Sequence, residues 1–274
     1  MPLTEAIPTP VPILNPPLGR LPRTHNPHIP KLDRLLASAT PPPAPDNIDY
    51  TLGLPVDLGM MLNNTLNDCS CAAFYHARQV WTFNATGKLL EIPDTHVKLL
   101  YQQACGYDPT QPGPGPGGCC QAVLTHLLQS GAPCGDKLIE HEKIAAFVEV
   151  NHCDIPTIKH IIADCGVCYV GIRVPHSLTM SGEPVPAVWD YNPAVNNMIV
   201  GGHAVVLAGY DEKTLRVISW GQLYTMTWNF FLAFVDEAYA IVHRPWIDAK
   251  HNTPGHLPPE QLAAAMLPLL TSPN

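Results

Sequence analysis

The chain has 274 residues, 46% of them hydrophobic and 14% charged, with a net charge of -8, which is enough apolar material for one large core or two modest ones. Its 15 Lys and Arg residues are scattered, so there is no basic stripe to track a phosphate backbone and nucleic acid is excluded as an expected partner. No run approaches the ~18 apolar residues that span a bilayer, and Met1-Pro2-Leu3-Thr4-Glu5 lacks a basic n-region and an apolar h-region, so the expectation is a protein made and kept in a cytoplasm, or released by lysis.

Proline dominates the start of the chain, with 13 of the 31 prolines before Asp46. Segments such as Pro8-Thr9-Pro10-Val11-Pro12 and Pro41-Pro42-Pro43-Ala44-Pro45 cannot form helices or central strands, because proline lacks an amide hydrogen and fixes φ. Residues 1–46 therefore read as an extended arm. Ile13, Leu14, Leu18, Leu21, Ile29, Leu32, Leu35 and Leu36 are interleaved with the prolines, which makes the arm more apolar than a polar linker. Such a segment docks on its own body or on a neighbour's surface; a disordered tail is the alternative.

Residues 47–248 read as one α+β domain. Helices are expected over Ser70–Trp81, over Asp94–Ala104 with Asp94 as N-cap, and over Gln121–Gln129 with Gly131 as the stop. Pro112-Gly113-Pro114-Gly115-Pro116-Gly117-Gly118 is a loop by composition. The second half turns β-rich: a strand over Ile144–Val150, a helix over Ile155–Asp164, then strands over Val167–Val174, His203–Tyr210 and Leu215–Trp220, the last two joined by a turn at Asp211-Glu212-Lys213-Thr214. Thr227 caps a short helix through Phe234, and Ala238–Val242 returns as a strand. Residues 249–274 form a tail with one apolar helical run, Pro259–Leu270.

Nine cysteines in a chain without an export signal read as free thiols rather than a disulfide framework. Cys165-Gly166-Val167-Cys168 has redox or zinc spacing, but Cys165 ends a helix and Cys168 leads into a strand, the reverse of a thiol pair that opens a helix. Buried structural cysteines are the plainer reading. The chemistry is sought instead at Asp68-Cys69-Ser70-Cys71-Ala72-Ala73-Phe74, where a thiol opens the first helix, and at Gly201-Gly202-His203-Ala204-Val205, an imidazole far downstream on an apolar strand. A thiol near its free pKa of about 8.5 is mostly protonated at neutral pH, and a helix N-terminus with a nearby imidazolium lowers that value.

This order of thiol and imidazole resembles the papain-like cysteine hydrolases. The resemblance implies a helical lobe carrying the cysteine helix and an antiparallel β lobe carrying the histidine. It also implies a side-chain amide six residues before the nucleophile as an oxyanion donor, a place held by Asn63 when Cys69 is the nucleophile and by Thr65 when it is Cys71. Ser70-Cys71-Ala72-Ala73-Phe74 keeps Cys71 in competition, since papain-like enzymes follow the nucleophile with an aromatic, Ala and Phe; here Ala72 stands in the aromatic's place. In that family the hairpin beyond the histidine ends in Asn-Ser-Trp-Gly, whereas this chain has Ile218-Ser219-Trp220-Gly221. Ser219 is then the candidate to orient His203, less firmly than an amide or carboxylate would. Trp189 and Trp220 are candidates for lining the substrate cleft, and Asp68 for capping the cysteine helix.

The blocks Met60–Ala73, His76, Trp81, Gly201–Val205, Ser219-Trp220-Gly221, Met226-Thr227-Trp228 and Asp236–Ala240 are similar to a family of papain-like proteins of tailed bacteriophages and prophages, over roughly residues 55–248. The resemblance implies a cysteine peptidase or amidase acting on a peptide-like substrate, with no cofactor and no metal. The alternative is a virion structural or attachment protein whose arm lies across neighbouring capsid or tail proteins. On either reading the protein is made in the host cytoplasm, with the virion as its second location. A zinc site on Cys69, Cys71 and His203 is a third option.

Overall fold

A computed structural model describes residues 9–36, 43–135, 138–179, 182–250 and 253–271. The first eight residues, Pro41-Pro42 and the last three residues, on which parts of the arm and tail readings fall, lie outside the described residues. The fold grows around one helix. In α2 (Cys69–Thr86) every residue from Cys69 to Trp81 is buried, Ser70, His76, Arg78 and Gln79 included, so this stretch of the helix has no solvent face. It runs five residues past the expected end and stops where Gly87 takes a left-handed φ of 72° and donates to the Phe83 carbonyl, a conformation glycine adopts without steric cost.

Around α2 lie a short turn of helix, α1 (Leu32–Leu35), and a first strand, β1 (Ile48–Asp49), then the helices α3 (Asp94–Cys105) and α4 (Cys120–Gln129). A small ladder comes next, β2 (Ala132–Pro133) with β3 (His141–Glu142), and then β4 (Ala146–Val150), α5 (Ile155–Cys165), β5 (Cys168–Pro175) and β6 (Val188–Trp189). The long strand β7 (Ile199–Tyr210) leads into the hairpin of β8 (Thr214–Ser219) and β9 (Gln222–Thr227). The chain ends with α6 (Trp228–Phe234), β10 (Val235–Val242), α7 (Arg244–Lys250) and α8 (Pro259–Thr271). The large sheet has the order β4-β10-β5-β7-β8-β9-β6, with β1 added to β7. Antiparallel pairing sets Ile172 opposite His203, Val206 opposite Ile218 and Ser219 opposite Gln222. Both α2 and α5 pack on β7, which is why its last eight residues are all buried and read as an unbroken apolar run instead of an alternating one.

Three local expectations change. Asp94 is the first helical residue of α3, not its N-cap; Pro93 holds the cap position and no side chain bonds there. Asp68 holds the cap position of α2, yet its side chain makes no cap bond and turns to Asn63 instead. His203 does not head its strand, because β7 begins at Ile199. Gly201 and Gly202 leave room for the arm: a side chain at either would collide with Leu18 or with the Arg20 backbone. Thr227 does cap α6, accepting from the Phe230 N–H at 3.1 Å.

The arm lies on the body. Its backbone both accepts and donates: Pro30 O accepts from Glu149 N and Ile13 O from Val185 N, while Arg20 N and Leu21 N donate to Gly202 O and Gly118 O. Ile29 and Leu32 are buried, each contributing roughly 1.5–3 kcal/mol of apolar burial. The tail also packs down, with Leu262, Met266 and Leu269 forming the buried stripe of α8, while α7 spans the expected boundary at 248. Among the described residues no helix is long and apolar enough to cross a membrane.

Candidate active site

Cys69 starts α2 after a strained approach. Met61 and Leu62 both sit at positive φ, 55° and 67°, a cost that side-chain-bearing residues meet where the surrounding structure over-determines the backbone. Asn67 then pins the loop, its N–H donating to Pro114 O and its side-chain amide to Gly115 O. The Pro-Gly loop thus fixes the entry to the cysteine helix. Cys69 is 1% exposed. Burial pushes its pKa up to about 12; the backbone amides of Ala204, the residue after His203, and of Gly19 of the arm, with the charge of Arg20, pull the other way, while Asp68 adds to the rise.

His203 is turned by its hairpin neighbours. Its Nε2 lies 2.7 Å from Ser219 Oγ, and its Nδ1 is buried with no hydrogen-bond partner. Trp220 stacks on the imidazole at 4.2 Å between ring centroids and 13° between planes. That placement comes from the two-residue turn Trp220-Gly221, in which both residues have positive φ, the geometry of a tight hairpin. Burial, with Arg20 and then His76 adding positive charge, lowers the pKa of His203 to about 3. At neutral pH the Cys69 thiol and the His203 imidazole are therefore both uncharged.

Asn63 and Asp68 form a buried couple beside the thiol. The Asn63 amide donates to Asp68 Oδ1 at 3.1 Å and, at 3.5 Å, to the Leu66 carbonyl. Burial raises the Asp68 carboxyl to about 8, against the Asn63 hydrogen bond. The folded protein thus keeps a proton that the unfolded chain gives up between about pH 4 and about pH 8. Stability from this group is full below about pH 4 and falls as pH rises to about 8, by at most about 1.4 kcal/mol per unit. Asp68→Asn, which retains an acceptor for Asn63, is expected to match the parent near pH ~4 and to gain on it as pH rises, by up to about 5 kcal/mol near pH ~8; urea unfolding at a series of pH values checks this.

The remaining candidates fall elsewhere. Cys71 is buried and points to Cys105, 4.0 Å away between sulfurs, with its pKa raised well above the ordinary thiol value by burial and by Cys105. Trp189 is fully buried and packs on Trp220, Tyr224 and Phe230, so it buttresses the wall behind Trp220 and offers no face to a ligand. Trp220 itself is 2% exposed and shields the imidazole. Cys165 and Cys168 are buried at the end of α5 and the start of β5. Among the described residues no three His, Cys, Asp or Glu side chains converge as metal ligands, so the zinc alternative lacks a donor set.

What sequence reasoning missed is the arm's path across this site. Gly19 O accepts from Gly118 N, Leu21 N donates to Gly118 O, and Arg20 N donates to Gly202 O. Residues 19–21 thus run through the seam between the helices and the sheet, with Gly19 over the thiol. Arg20 sends its guanidinium under β5 and β10 to Asp236 and Glu237. The available signal was the Gly19-Arg20 pair, a flexible residue followed by the first cation after an apolar, proline-rich stretch.

Among solved structures the chain is similar to xylellain, a cysteine protease from Xylella fastidiosa, at 16% identity and a TM-score of 0.60 over 84% of this chain and 97% of that one. It is similar also to procathepsin B S9 from Trypanosoma congolense, at 14% and 0.54 over 82% and 85%. Digestive procathepsin L 3 of Tenebrio molitor larval midgut matches at 12% and 0.54 over 80% and 75%. No protein-family model and no curated protein matches the chain. The fold is papain-like, with helical and sheet parts as in those proteases.

Proposed function

We propose that the chain is a papain-like cysteine peptidase held latent by residues 19–21 of its own arm. The observation that carries this is the placing of the groups: a buried thiol at a helix N-terminus, whose thiolate is favoured by the backbone amide of the residue next to His203, and an imidazole held at Nε2 by Ser219 with Nδ1 left free. In the neutral imidazole that takes up the thiol proton at Nδ1, Nε2 carries the hydrogen and donates to Ser219 Oγ. Proton transfer gives thiolate and imidazolium, and the thiolate attacks the carbonyl carbon of a peptide bond. The tetrahedral oxyanion is stabilised by the Cys69 N–H at the start of α2. Asn63 is the second donor: its bond to Leu66 O is the longer of its two, so that hydrogen is the cheaper to redirect. Collapse expels the amine, which takes the proton from His203, and water releases the acyl group by the same steps.

On this reading the arm is not itself cut because the Gly19 carbonyl is held by Gly118 N while the Gly19 amide acts on the thiol. The test is hydrolysis of fluorescein-labelled casein by the Gly19→Ala protein and by Gly19→Ala with Cys69→Ala. Release by the first alone supports the assignment; release by both assigns the activity to something other than this thiol. A second reading, a virion structural or attachment protein of phage origin on the same fold, is favoured by Ser219, a weaker partner for the histidine than an amide or carboxylate. On that reading the opened protein binds peptide without cleaving it, and the arm engages neighbouring capsid or tail proteins.

A further inference from the structure

We propose that Cys71 and Cys105 are a redox-active pair, a site of covalent modification at which a low-molecular-weight disulfide closes a Cys71–Cys105 bond that locks the last turn of α3 to the nucleophile helix. Cys71 is the third residue of α2, two after Cys69, and is fully buried; Cys105 ends α3 and is half-buried. Their sulfurs lie 4.0 Å apart, close enough for side-chain rotation to bring them to bonding distance. Cys69 does not compete for Cys71, because residues two apart on a helix do not face each other. The half-buried thiol reacts first. The Cys105 thiolate attacks one sulfur of glutathione disulfide, the S–S bond breaks, and one glutathione leaves as its thiolate. Cys71 then attacks the Cys105 sulfur, forms the internal bond and expels the second glutathione. Two protein thiols are oxidised, one small disulfide is reduced to two thiols, and the protons of Cys71 and Cys105 end on the two glutathiones.

The place of the pair in the fold gives the bond its consequence. One turn before Cys105, the Tyr101 hydroxyl accepts from the Gly117 N–H at 2.8 Å and donates to the Pro114 carbonyl at 3.4 Å. The last turn of α3 therefore carries the Pro-Gly loop. That loop in turn holds Asn67, two residues before Cys69, through Pro114 O and Gly115 O. Its Gly118 packs directly on the pair's outer member: a Cβ there would stand 2.8 Å from Cys105 Sγ and against Ser70 Oγ. The same Gly118 exchanges backbone hydrogen bonds with Gly19 and Leu21. A bond joining residues 34 apart in the chain thus ties loop 114–118 to the helix that bears Cys69, and reduction frees the end of α3 to shift with that loop. The exchange chemistry holds whether or not the seam cleaves peptides; only the effect on Cys69 depends on the loop.

The test incubates the full chain, without denaturant, in glutathione buffers from fully reduced to fully oxidised, and maps disulfides by mass spectrometry of unreduced peptides. One cross-linked species is expected, joining the Cys71 and Cys105 peptides, with a Tm about 5–10 °C above that of the reduced protein. Iodoacetamide modification of Cys69, which requires local opening of the seam, should slow about tenfold on oxidation, and dithiothreitol should reverse both changes. Cys71→Ala should stop at one glutathione on Cys105, as the two-step exchange requires, and Cys105→Ser should leave Cys71 unmodified. Absence of the Cys71–Cys105 link, a link that forms only in urea, or glutathione retained on Cys105 of the parent chain would overturn the proposal. So would a link that leaves both the Tm and the labelling rate of Cys69 unchanged, because the bond would then lock nothing. None of these outcomes depends on peptide hydrolysis, so failure of the hydrolytic reading is seen separately, in the casein assay.

Discussion

Gly19→Ala is expected to raise the rate at which iodoacetamide modifies Cys69 by about 100-fold, without loss of the folded core. Gly19 lies so close to the Asn67 backbone that a β-carbon would overlap the Asn67 carbonyl. That carbonyl cannot give way, because the Asn67 backbone and side chain are both tied to the Pro-Gly loop. The added methyl therefore lifts the arm from the seam and removes the three backbone hydrogen bonds that join residues 19–21 to Gly118 and Gly202. At about 1 kcal/mol net for each the loss is about 3 kcal/mol, and a tenfold change for roughly every 1.4 kcal/mol gives about two decades. Lifting the arm also returns water to the thiol. Burial is the largest cause of its rise to about 12, so the pH of half-maximal labelling should move down. Peptide mapping by mass spectrometry reads the site, with Val11→Ala, at an exposed position of the same arm, as a control expected to change nothing. Unchanged labelling at Cys69 would refute the blocking role of the arm; uniform labelling of all nine cysteines with a lowered Tm would show unfolding instead.

Much of this site is written locally in the chain, and part of it is not. The cysteine helix, the β7–β8 turn and the Thr227 cap arise from apolar runs, turn residues and a capping hydroxyl, all of which act over a few residues. The start of β7 was not legible: the strand was expected from His203, whereas it begins at Ile199 and its Gly201 and Gly202 are an accommodation to Leu18 and Arg20, roughly 180 residues earlier. The strand β9 and the two-residue strands β1 and β6 exist through pairing alone. Asp68 illustrates the same limit: capping chemistry favours its side chain on the helix N–H groups, and the fold gives it Asn63 instead. Trp189 was expected to line the cleft, and whether its face met solvent depended on Trp220, Tyr224 and Phe230 closing over it.

His203→Ala, made on the Gly19→Ala protein, is expected to lower kcat/KM for peptide hydrolysis by about 1,000-fold, within the range for loss of a positioned general base. With the base gone, attack depends on the small thiolate fraction set by pH alone, so residual activity should climb steadily with pH instead of reaching a plateau. Ser219 graduates the same effect. Its hydroxyl orients the ring at Nε2 but carries no charge to balance an imidazolium, and Trp220 already confines the ring from one face. Ser219→Ala should therefore cost only about tenfold, as loss of orientation without loss of the base. Stopped assays across pH with both single replacements separate the cases: a large loss with an altered pH profile at 203, and a small loss with the profile retained at 219. Equal, small losses at both positions would mean that the imidazole only packs against Trp220 and takes no proton from the thiol, leaving Cys69 without the base that its burial makes necessary.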